Sequence, residues 1–149
     1  MRARTVAVLA IGILMFGCGD ANGGDDGTTG GDDGPMEGQV RGESWEAVGG
    51  NAVPNPDDDS EYIINIVDRE IDLCDHEPNS GLYVRTSIEP EEGEQSTDIY
   101  LGEFGEFGES HLTNTIDIHE WGENVSGYLD HSFQDDYVEG TFSVPVCDQ

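Results

Sequence analysis

Lysine is absent from this chain. All five of its cations are arginines, set against 33 aspartates and glutamates, for a formal net charge of −28. So little positive charge excludes the nucleic-acid binders, whose affinity rests largely on lysine and arginine against phosphates. It disfavours anionic lipid surfaces and anionic substrates, and it draws in basic partners and divalent cations. No stretch of ten residues repeats its apolar side chains at a helical period, which leaves short strands as the regular element. The longest apolar run, Val6 to Phe16, falls short of the roughly 20 residues a membrane-spanning helix needs. A Gly-x-Ser-x-Gly nucleophile elbow is missing as well.

What is there begins at the N-terminus. Arg2 and Arg4 precede the apolar run, and Gly17, Cys18 and Gly19 follow it. A basic start, an apolar middle and a small residue before a cut form the layout of a secretory signal. With a cysteine directly after the small residue, the segment resembles a bacterial lipoprotein signal. Gly17 and Cys18 match the lipobox, while Met15 and Phe16 stand where it usually has leucine and a small residue. The resemblance implies that residues 1–17 are removed. Cys18 then carries a thioether-linked lipid and an N-acyl chain, which together anchor more firmly than a single chain. Gly19 in place of aspartate implies, by the rule of enteric bacteria, a cell-envelope location at the outer membrane, facing periplasm or cell surface.

Loss of the leader leaves Arg41, Arg69 and Arg85 against all 33 acids, a formal −30. Two readings of this charge stand: salt adaptation of the surface, or attraction of a cationic protein. With Cys18 lipidated, Cys74 and Cys147 form an even pair in an oxidising compartment and are expected to be disulfide-bonded.

Residues 18–37 read as a disordered Gly/Asp-rich linker, since like-charged, glycine-rich chain stays extended. Its two Gly-Asp-Asp-Gly copies lack the ligand spacing of an EF-hand loop. Residues 38–149 read as one all-β domain. Short runs rich in β-branched and aromatic residues alternate with Gly, Asp, Asn and Pro. Glu61 to Val67 is apolar on both parities, as in a strand paired on both sides. Leu82, Val84 and Ile88 share one face of their run, and Leu112, Ile116 and Ile118 share a face of theirs. Asp98 to Leu101 reads as a short strand after an acidic turn, Glu89 to Ser96. The pattern Val-x-Gly-x-apolar occurs in Val125 to Leu129 and again in Val138 to Phe142. These two runs are expected to pair as an antiparallel hairpin, with the glycines allowing a bulge or a large neighbour such as Trp45. Seven or eight short strands at this spacing point to an antiparallel β-sandwich, with a β-barrel as the alternative.

The opening Gly38 to Trp45, the mid-chain Cys74 and the closing Val138 to Cys147 together resemble small, acidic lipoproteins of myxobacterial type. That resemblance covers nearly the whole chain. It implies a sandwich with a disulfide and supplies no catalytic residue.

Candidate chemistry is thin. His76, His111, His119 and His131 are the histidines; His111 and His119 lie too far apart on one strand to share an ion, and His131 falls on the apolar parity. Asp130-His131-Ser132 has the residue types of a hydrolase triad, but neighbours on a strand point to opposite faces. Calcium is the better-matched ligand, with Asp57, Asp58, Asp59 and Glu61 as candidate oxygen donors and Glu89, Glu91 and Glu92 as a second group. Phe104 and Phe107, in a repeated Gly-Glu-Phe triplet, read as pins holding a loop to the sheet, with a flat platform for sugar or peptide as the alternative. These observations point to a lipid-anchored envelope protein, not an enzyme, with a structural or interaction role. The alternative is a calcium-assisted carbohydrate- or protein-binding module.

Overall fold

The computed structural model describes residues 34–70, 74, 81–106 and 110–147. Cys18, His76, Phe107, the leader 1–17 and the linker up to residue 33 lie outside the described residues. Within them there is no helix, and nine strands follow in chain order. They are β1 (Glu37–Val40), β2 (Glu43–Glu46), β3 (Gly49–Pro54), β4 (Tyr62–Val67), β5 (Leu82–Ile88), β6 (Gly93–Glu103), β7 (Ser110–Trp121), β8 (Asn124–Phe133) and β9 (Asp136–Pro145).

All nine belong to one sheet in the order β2-β1-β9-β8-β7-β6-β5-β4-β3. Every neighbouring pair in it is antiparallel. The sheet curls until β3 returns to β9. There Ala52 and Val146 form a parallel bridge, and the Cys147 N–H donates to the Ala52 carbonyl at 2.8 Å. The all-β antiparallel class is therefore present. It takes the form of one nine-stranded sheet curled into a half-barrel. The strand number exceeds seven or eight because Glu37 to Pro54 holds a hairpin and a third strand. Arg41 (φ 52°) and Gly42 (φ 78°) make the tight β1–β2 turn, with both residues at positive φ as a type I′ turn requires.

Alternation decides which side chains face inward. Val84, Ile88, Ile99, Leu101, Ile116, Ile118, Val125, Leu129, Phe142 and Val144 join Trp45, Ile64 and Ile66 in a single core. Each such fully buried aliphatic contributes about 2 kcal/mol of transfer free energy. β8 and β9 form the expected hairpin, with Val125 opposite Val144, Gly127 opposite Phe142 and Leu129 opposite Gly140. The large neighbour of its glycines is not Trp45, which lies opposite Gly38. A Cβ on Gly127 would collide with the Asp117 carbonyl oxygen and touch the Phe142 ring at 3.0 Å. The register also shifts between Ile118 and Glu120, so a bulge sits beside Gly127.

Two boundaries differ from expectation. Gly34, Pro35 and Met36, which composition places in the linker, pack against β9. Pro35 bridges to Thr141, the Met36 N–H donates to the Thr141 carbonyl at 2.9 Å, and the Met36 side chain is completely buried. One methionine in a polar, glycine-rich stretch carries no periodicity, so its burial is invisible until its neighbours are known. β6 begins at Gly93, inside the expected acidic turn. Its pairing with β7 there outweighs the low strand propensity of its glutamates.

Cys74 and Cys147 are disulfide-bonded, with Cα atoms 5.3 Å apart. The bond ties the connection after β4 to the end of β9.

Candidate functional site

The outer face of the sheet carries a row of residues that stand opposite one another across five strands: Asn51, Asn65, Arg85, Tyr100 and His111, one from each of β3 to β7. The Arg85 Nε–H donates to the Asn65 side-chain oxygen at 2.8 Å, and the Asn65 amide donates to the Asn51 side-chain oxygen at 2.9 Å. Both asparagines are buried, at 1% and 3% exposure, although they sit opposite the main core. The Arg85 guanidinium carbon lies 5.3 Å from the centre of the Tyr83 ring and 5.5 Å from that of Phe104. Those two rings pack on each other at 4.3 Å, so Phe104 does pin the loop after β6 to the sheet. Tyr100 stacks with His111 at 5.3 Å. Arg85 has no carboxylate within 4.0 Å among the described residues, whereas Arg69 pairs with Asp68 at 3.1 Å.

Sequence reasoning missed this row. Its signal was faint: Asn65 is the one polar residue in Tyr62–Val67, and Arg85 interrupts an apolar run on the parity opposite Leu82, Val84 and Ile88.

A second feature is the seam where the sheet fails to close. Between Thr141, bonded to Gly34 and Met36, and the Ala52–Val146 bridge, β9 parts from β3. The resulting cleft of about 320 Å³ is lined by Pro35, Val48, Ile66, Phe142 and Val144 among others.

The calcium candidates do not converge. The Ser60 hydroxyl and N–H both donate to Asp58, at 2.6 and 3.0 Å, and hold its carboxyl below the ordinary value. Glu61 instead accepts from the Asn55 amide at 3.1 Å, and Asp57 and Asp59 are exposed. In the second group the Gln95 side chain closes the turn onto the backbone of Glu89 and Glu91. Among the described residues, no three or more His, Cys, Asp or Glu are gathered as a metal site.

His111 and His119 are exposed on the outer face, His119 within 3.3 Å of Asp117. His131 is fully buried, while Asp130 and Ser132 beside it are exposed, so the three cannot act as a relay. The His131 Nδ1 lies 3.4 Å from the Asn114 amide nitrogen, and its Nε2 is buried without a partner. Burial lowers its pKa, with the Asp130 charge opposing. The unfolded chain therefore binds the proton more readily, so stability is full above about pH 6.5 and falls as pH drops through and below it. Melting scans between about pH 7.5 and 5.5 are expected to show this decline. His131→Leu is expected to flatten it at little cost, since an apolar replacement leaves no buried nitrogen unpaired. An unchanged slope in the variant would assign the decline elsewhere.

No protein-family model, no curated protein and no solved structure matches this chain.

Proposed function

We propose that this is a lipid-anchored protein of the cell envelope with a non-enzymatic structural or interaction role. The pairing of Cys74 with Cys147 carries this reading. A disulfide suits an exported chain, and it leaves Cys18, behind a leader-like segment, as the third and remaining cysteine. The likeness of the opening segment to a lipoprotein signal supports the membrane as the site of attachment, with the outer membrane favoured by Gly19. The oriented polar and aromatic row on the outer sheet face supports an interaction role.

Mass spectrometry of the protein purified from membranes tests the anchor. The mature chain is expected to begin at Cys18 and to carry the mass of a diacylglyceryl group plus one acyl chain. Cys18→Ser is expected to move the protein from the membrane to the soluble fraction. A free Cys18 thiol, or a cut at another position, would refute the proposal.

A further inference from the structure

We propose that the outer-face site around Arg85 binds a sugar carrying a single carboxylate, a uronic acid, through the Arg85 guanidinium. This deepens the interaction role proposed above by naming the ligand class.

Positive charge is scarce on this surface. Three arginines remain in the mature chain beside 33 acids, so a guanidinium on this surface meets a carboxylate with little effort. Arg69 does so. Arg85 is instead held by neutral groups alone: one buried amide on its Nε, a second buried amide behind the first, and two ring faces. A glutamate or aspartate in place of Asn65 would cancel the charge. The amide orients the side chain and leaves the charge uncancelled.

The Nε–H is the donor spent inside the protein. The two terminal nitrogens form no hydrogen bond among the described residues, and neither is among the buried, unpartnered atoms. Their fork is the one that grips both oxygens of a carboxylate. Because Asn51, Asn65 and the two rings already fix the side chain, little rotamer entropy remains to be lost on binding.

The ring surface narrows the ligand. Phe104 flanks the guanidinium, and Tyr100 stands directly opposite Arg85 on the next strand, half-buried. Phe104 and Tyr100 are both partly exposed beside the guanidinium, and aromatic carbon next to a carboxylate grip fits a pyranose ring, whose C–H groups pack on it. The protein's own field sets the valence. The mature chain is strongly negative, so each further negative charge on a ligand adds repulsion. A monovalent carboxylate passes that filter best, whereas a phosphate dianion is opposed twice over.

The test is an NMR titration of full-length protein labelled with ¹⁵N-arginine. The mature chain has three arginines, and Arg85→Lys identifies the Arg85 Nε signal by removing it. Methyl glucuronide is expected to shift that signal saturably in the millimolar range. Methyl glucoside, its neutral twin, is expected to bind at least about tenfold more weakly. Calorimetry on Arg85→Lys is expected to show about a fivefold loss, since an ammonium cannot make the forked contact. Phe104→Ala is expected to lose affinity several-fold with the disulfide intact and the β8–β9 side of the sheet retained, while the near-UV signal of the Tyr83–Phe104 pair is lost.

Equal response to both sugars would overturn the proposal. So would a tighter response to inorganic phosphate or to a peptide's C-terminal carboxylate, or no shift up to about 50 mM methyl glucuronide. The wild-type arms need no variant to fold. The assay reads the same whether or not Cys18 is acylated, so failure here is separable from failure of the anchor.

Discussion

Replacing Cys74 and Cys147 together by serine is expected to lower the unfolding free energy by about 4 kcal/mol. The two residues are 73 apart in sequence, and the entropy of closing so long a loop in the unfolded chain sets that figure. A domain of this size has a total stability of roughly 5–15 kcal/mol, so the staple supplies a large fraction of it. The melting temperature is expected to fall by about 15–20 °C. The loss has a definite place. The Cys147 N–H closes the curl by donating to Ala52, and Ala52 follows Asn51, the far end of the relay that holds Arg85. Amide hydrogen exchange at position 147 is therefore expected to quicken more than at Leu129, in the middle of β8. Denaturant titrations with and without reductant check the total. Coincident midpoints would mean that the staple does not restrict the unfolded chain.

Gly140→Ala is the second substitution with a large expected effect, about 4 kcal/mol. Gly140 has φ 133°, a conformation essentially reserved for glycine, and forcing another residue there costs about 2 kcal/mol. The site is also filled. A Cβ would lie 2.7 Å from the Met36 Cα and 2.8 Å from the Pro35 carbonyl oxygen. Both are backbone atoms, so Pro35 and Met36 must lift away. That movement breaks the bonds between Thr141 and both Gly34 and Met36, and it exposes Met36, adding about 2 kcal/mol. Gly93→Ala separates the two contributions, because Gly93 has φ 114° with open space where its Cβ would be. Its cost is expected to stop at about 2 kcal/mol. Equal losses in the two variants, measured by denaturant midpoint, would show that the N-terminal segment does not pack against β9 as described.

Much of this fold was legible in the residues. Leu82, Val84 and Ile88 turn inward because side chains on a strand alternate, and the β8–β9 hairpin follows from two matching runs joined by a short polar turn. The disulfide followed from the cysteine count and the leader-like segment ahead of Cys18. Met36 was not legible, since one apolar residue has no period. Neither was the start of β6, because a charged run joins a sheet only when a partner strand offers its edge. The candidate site was hidden for a related reason. Asn51 and Asn65 are 14 residues apart, and Asn65 and Arg85 are 20 apart. No local pattern connects them; the β3–β4 and β4–β5 registers do.

Local chemistry needs no fold to act: the excess of carboxylates, the near absence of cations, the inward and outward faces of each strand and the presence of two cysteines able to pair were decided by the sequence alone. Which strands lie side by side was decided only by the tertiary structure, because pairing joins residues far apart in the chain and only the closing of the whole sheet selects one register. Arg85 among neutral partners belongs to that second category: the residue is written in the chain, and its surroundings come from the curl.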